Sequence, residues 1–187
     1  NFLVRSRQLF ADKGLMAVVV DAPSDRQRAP FLNGFRQTEE HAADLKATIA
    51  WARATAKVPV WLVGTSRGTQ SAAYAATVLQ GADAPDGVVL TATILADDKQ
   101  RPVPAMPLEH IKVPVLVVHH QQDGCSHCAY SEIPNLMAKL THTPRSHLIT
   151  ATGGKNQGDA CAAFAHHGFN GLEADVVGQM ADWILAP

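Results

Sequence analysis

Val60-Trp61-Leu62-Val63-Gly64-Thr65-Ser66-Arg67-Gly68-Thr69 is the stretch that decides the fold. An apolar, strand-type run stops at Gly64, and Gly64-Thr65-Ser66-Arg67-Gly68 reads G-x-S-x-G. An alanine-rich helical stretch, Arg67 to Gln80, follows at once. Strand, sharp turn and helix put Ser66 at the apex. Such a turn strains the backbone of the serine and needs small neighbours where strand and helix pass each other. The hydroxyl is then held clear of both elements. The N–H of Arg67, at the helix start, points to where a negative oxygen would develop. The plain alternative is a glycine-rich β–α turn with Ser66 as a helix cap. What favours a nucleophile is the strand–turn–helix setting, with an acid and then a histidine further along the chain, in the order Ser, Asp, His.

Outward from this turn, apolar runs alternate with helical patterns. Asn1 to Lys13 reads as an amphipathic helix that Gly14 stops. Leu15–Val20 is a continuous apolar run and is expected to be a buried parallel strand. Ser24 to Gln37 is polar and loop-like. Thr38 is the expected N-cap of the next helix, with Glu39 and Glu40 in its first turn. His41, Leu45, Thr48, Ile49 and Ala52 make its apolar stripe, with His41 read as part of the buried edge. Further strands are expected at Val58–Val63, Gly87–Thr93, Val113–His119 and Ser146–Ala151. Helices are expected at Tyr130–Leu140 and around Leu172–Ile184. Three prolines between Ile94 and Lys112 argue against a long helix there. The alternation implies an α/β fold: a mostly parallel sheet with helices on both faces, in a single domain over 1–187.

Composition limits the functional classes. Hydrophobic residues make up 47% and charged residues 18%, as in a globular chain. Sixteen basic and seventeen acidic residues leave a net charge of −1, which offers nothing for nucleic acid. No run approaches the ~20 apolar residues of a membrane span.

With strand–Ser66–helix, strand–Asp123 and strand–loop–His167 in that order, the chain resembles an α/β-hydrolase of the serine esterase type. The resemblance covers nearly the whole chain. It implies Ser66 as nucleophile, Asp123 as the acid, His167 as the base and the Arg67 N–H as an oxyanion donor. Asp97 and Asp98 are the alternative acids. His166 competes with His167, which is preferred because Gly168 and Phe169 directly follow it. His119 and His120 are read as packing residues or as support for the site. Arg67 either biases the site towards acidic substrates or is a solvated helix-start residue. The resemblance implies no cofactor and no metal.

Two departures from the family pattern stand out. The family opens with strands that precede the first helix. In its strand order one of these lies between the counterparts of Leu15–Val20 and Val58–Val63. No such strand is present, so an N-terminal segment that also carries the second oxyanion donor is expected in the natural protein. Direct pairing of Leu15–Val20 with Val58–Val63 would contradict that expectation. The other departure is in the cysteines. Cys125 and Cys128 follow the acid and Cys161 precedes the histidine, on loops that face each other in this fold. A disulfide from Cys125 or Cys128 to Cys161 would pin the two loops and imply a periplasmic or secreted protein. Three reduced thiols would leave a cytoplasmic location open. A metal held by Cys125, His127 and Cys128 is a weaker reading, because C-x-x-C occurs once.

The expected activity is hydrolysis of small carboxylic esters through an acyl-enzyme; thioesters and amides use the same groups. The alternatives are a non-catalytic α/β-hydrolase-like binding protein, or a flavodoxin-like module with Gly64–Thr69 cradling an anion.

Overall fold

A computed structural model describes residues 1–186. Four parallel strands form one sheet in the order β1 (Trp61–Thr65), β2 (Gly87–Thr91), β3 (Val115–His120) and β4 (Ser146–Ala151). Spatial order follows chain order, with Leu62 opposite Val88, Val88 opposite Val115 and Val117 opposite Leu148. Each crossover passes over a face of the sheet, so every strand ends at the same edge. Turns that follow strands therefore collect on that edge, where ligands bind in parallel sheets.

The period of two along each strand divides the core. Val88, Leu90, Val115 and Val117 pack on one face with Ala72, Ala73 and Ala76 of α4 (Arg67–Val78) and with Ile133 and Leu136 of α5 (Ile133–Ala138). Val89, Leu116, Val118 and Ile149 pack on the other face. There they meet Val176, Val177 and Met180 of α6 (Glu173–Leu185), and Phe2 and Phe10 of the N-terminal helices. Both faces of β2 and β3 are thus covered, which is why those strands read as continuous apolar runs. The alanines of α4 let it lie close on the sheet. The 94–112 segment is irregular, with two short 3₁₀ turns at Val103–Ala105 and Leu108–His110.

Several elements differ from the sequence reading. The first helix is broken at Ser6 into α1 (Phe2–Arg5) and α2 (Arg7–Asp12). The strand expected at Val58 begins only at Trp61. Ahead of it, the Val60 N–H donates to the Asp86 side chain at 2.7 Å instead of to a ladder. Helix α3 (Glu39–Ala56) is capped as expected, with Thr38 Oγ1 accepting from the His41 N–H. The largest correction is Leu15–Val20, which is not a strand. Met16, Val19 and Val20 are about half exposed, and no strand pairs with this segment among the described residues. A parallel strand needs a neighbour for its backbone groups as well as apolar side chains, and this run has none.

A cavity of about 1470 Å³ lies in its place. It runs between Leu15–Val20, the inner face of α3 and the free edge of β1, and it reaches Ser66 and His167. The β1 amides that point away from β2 therefore have no sheet partner. In hydrogen exchange read by mass spectrometry or NMR, they should exchange orders of magnitude faster than the amides of β2 and β3. Equal protection would show that the edge is covered in solution.

Candidate active site

Ser66 sits between β1 and α4 with φ 50° and ψ −124°, a left-handed backbone that costs a non-glycine residue about 1–3 kcal/mol. The surrounding bonds hold it there. Its N–H donates to the Thr91 carbonyl at the end of β2, at 3.0 Å. Its carbonyl accepts from the N–H and the hydroxyl of Thr69, at 2.9 and 2.6 Å. The Thr69 hydroxyl accepts in turn from the Ile94 N–H, and the Thr91 hydroxyl donates to the Gly64 carbonyl.

The two glycines of the motif do different work. A Cβ on Gly64 would stand 2.5 Å from the Gly68 carbonyl oxygen, where strand and helix meet. A Cβ on Gly68 would meet nothing within 4 Å. Arg67 is the first residue of α4, so its N–H has no acceptor within the helix. Its side chain is paired with Asp97, whose carboxylate is inaccessible and also accepts from the N–H groups of Lys99 and Gln100. Burial pushes the Asp97 carboxyl up. The Lys99 N–H, the Arg67 guanidinium and the Gln100 N–H outweigh it and hold the group below its ordinary value.

Asp123 lies just past β3 and His167 just before α6. The His167 Nδ1 donates to Asp123 Oδ2 at 2.9 Å, and both side chains are nearly inaccessible. The other carboxylate oxygen accepts from the Cys125 N–H at 2.9 Å. With Nδ1 protonated towards the carboxylate, Nε2 is left as the basic nitrogen. That atom is buried and has no hydrogen-bond partner among the described residues. His167 and Ser66 line the same cavity, with no hydrogen bond between them.

The alternatives weighed from the sequence sit elsewhere. Asp97 is committed to Arg67. His166 points outward, stacked 4.2 Å from the His120 ring and bonded to the Gln122 carbonyl. His119 lies behind the acid, 3.7 Å from Asp123 Oδ2, with Nε2 on the Cys128 carbonyl at 2.7 Å. Burial, first of several causes, lowers its pKa. Two further residues line the cavity beside Ser66. Arg36 belongs to a polar loop and was not singled out by sequence. His41 belongs to the apolar stripe of α3 and is buried, but both of its ring nitrogens lack partners.

Cys125 and Cys161 form a disulfide that closes a sequence separation of 36 residues and joins the loop after Asp123 to the loop before His167. Cys128 is free and buried, and burial raises its thiol pKa. Ligand atoms of Cys125, Cys128 and His167 cluster within 4.8 Å, but the sulfur of Cys125 is already bonded to Cys161. His127 stands apart, on the Ala96 carbonyl. No described helix is long and apolar enough to cross a membrane.

No protein-family model and no curated protein sequence matches the chain. Solved structures do. A cold-adapted esterase from an Arctic intertidal metagenomic library is similar at TM-score 0.63 and 16% identity, over 97% of this chain and 75% of that one. A structure of the metagenome-derived lipolytic enzymes LipS and LipT gives 0.64 and 14%, over 98% and 87%. A sugar hydrolase from Lactococcus lactis gives 0.63 and 15%, over 96% and 79%. The chain has the α/β-hydrolase fold.

Two measurements follow from this geometry. Gly64→Ala should lower stability by about 1–3 kcal/mol, because a backbone carbonyl blocks the new methyl. Gly68→Ala should be neutral or stabilising, by up to ~1 kcal/mol. Urea unfolding of both variants checks the difference. Cys161→Ala should cost about 2–4 kcal/mol, the chain-entropy contribution of a loop this long. Reductant should shift the wild-type midpoint towards that of the variant and leave the variant unmoved.

Proposed function

We propose that the protein is a serine hydrolase that cleaves small carboxylic esters, with Ser66 as nucleophile, His167 as base and Asp123 as the orienting acid. The observation that carries this reading is the buried His167–Asp123 hydrogen bond, which leaves Nε2 without a partner in a residue that lines the same cavity as Ser66. The esterases and lipolytic enzymes among the proteins of the same fold support it.

A serine hydroxyl is a weak nucleophile at neutral pH and needs a base. As substrate enters, the Ser66 hydroxyl closes on His167 Nε2. The proton passes to Nε2 while Oγ bonds to the ester carbonyl carbon. The carbonyl oxygen becomes an oxyanion beside the Arg67 N–H, where the start of α4 favours negative charge. The imidazolium is stabilised by Asp123, itself held by the Cys125 N–H. Collapse of the intermediate breaks the ester C–O bond, and Nε2 returns the proton to the leaving alcohol. Water, deprotonated by the same nitrogen, then releases the acid and restores Ser66. Thioesters and amides suit the same groups. The Cys125–Cys161 bridge fits an oxidising compartment such as a periplasm or the cell exterior.

A second reading, a non-catalytic binding protein, draws on the absence of a hydrogen bond between Ser66 and His167. Intact mass after fluorophosphonate treatment separates the two. The hydrolase gives one adduct, absent from Ser66→Ala. In Asp123→Asn, esterase kcat should fall by about 10³–10⁴ through loss of the correct tautomer. A folded wild type that takes no adduct leaves the binding reading in place.

A further inference from the structure

Arg36 carries a charge to which the fold gives no counterpart. Arg5, Arg53 and Arg67 are each partly buried, and each is paired with a carboxylate: Glu173, Asp86 and Asp97. Arg36 is partly buried as well, yet its hydrogen bond goes to a neutral group, the Ser71 hydroxyl, at 3.1 Å. Among the described residues it makes no ion pair with a carboxylate, and burial and the nearby cation Arg67 both lower its pKa. A partly desolvated guanidinium with spare donors and no acid is costly, and it is well suited to a planar anion.

His41 makes a second independent observation. It is 5% exposed, both ring nitrogens are buried without partners, and it lines the same cavity as Arg36 and Ser66. Burial first, and then the nearby Arg36, lower the pKa of this ring against the opposing Asp44 carboxylate, and the neutral form this favours has one N–H donor. Buried polar groups are nearly always satisfied, and an unsatisfied one calls for an explanation. The charge of Arg67 is already neutralised by Asp97, so it does not supply the anion site.

We infer that Arg36 and His41 form a carboxylate-binding subsite, and that the substrates are esters whose acyl part ends in a carboxylate. The inference rests on Ser66 being the reacting group. Ser71 lies five residues beyond Ser66 on α4, about 7.5 Å along the helix axis. A half-ester with about two or three methylenes between its carbonyl and its carboxylate spans that interval once the guanidinium contact is included. The substrate carboxylate accepts from Arg36 and from the His41 ring, and the ester carbonyl reaches Ser66 Oγ.

Binding is measured apart from turnover by using the Ser66→Ala chain. Ligand-observed NMR compares monomethyl glutarate with methyl pentanoate, which matches it in length and lacks the charge. The half-ester should bind about tenfold to a hundredfold more tightly, the effect of a charge-assisted pair, and 0.5 M salt should reduce that advantage. Adding Arg36→Gln should remove most of it, and Arg36→Lys should keep part of it. Equal binding of the two esters by Ser66→Ala overturns the inference whatever the variants do. An advantage that survives Arg36→Gln overturns it too. Turnover of the same pair by the wild type is read separately. Preferential binding without turnover leaves the subsite standing and removes the esterase reading, whereas turnover without preference does the reverse.

Discussion

A residue with a side chain held in left-handed backbone is a cost that the rest of this fold is arranged to sustain. Ser66 stays at φ 50° because β2 accepts its N–H, Thr69 donates twice to its carbonyl, and Gly64 lets strand and helix close around it. The same bonds couple the turn to its neighbours. Thr69 reaches Ile94, so the turn is bound to the start of the irregular 94–112 segment. Asp97 in that segment then fixes the Arg67 side chain. The position of the serine hydroxyl is thus set by the sheet and not by the loop alone.

The acid and the histidine obey a different logic. Both follow strands of a parallel sheet, so topology delivers them to the edge that already holds Ser66. Topology places loops only roughly, and finer placement here comes from covalent and polar ties. The Cys125 N–H orients the carboxylate, and the Cys125 sulfur bridges to Cys161 ahead of the histidine. One residue therefore serves both partners of the Asp123–His167 bond.

Elements buried on two faces were legible in the sequence. β2 and β3 emerge from continuous apolar runs, and Thr38 caps α3 because a short polar side chain there satisfies a free N–H. The order Ser66, Asp123, His167 and their places after strands were legible, because both can be read along the chain. Leu15–Val20 misled because its composition matches a buried strand, while strandness depends on a neighbour that local sequence does not contain. The choice of Cys125 over Cys128 was not legible either, since both lie in the same short loop. Arg36 gave no signal. Its meaning lies in the carboxylate it lacks, and that is visible only when the surrounding charges are placed in space. His41 gave half a signal: its stripe position foretold burial but not its unpartnered nitrogens.

The free edge of β1 beside the exposed Val18, Val19 and Val20 also bears on how the molecule behaves in company. An uncovered strand edge next to an apolar strip is a template for pairing with other chains, and natural sheets usually block such edges with lysine, proline or a bulge. Trp61-Leu62-Val63-Gly64-Thr65 has none of these and carries no charge. Another chain paired along β1 would occupy the opening through which small molecules reach Ser66.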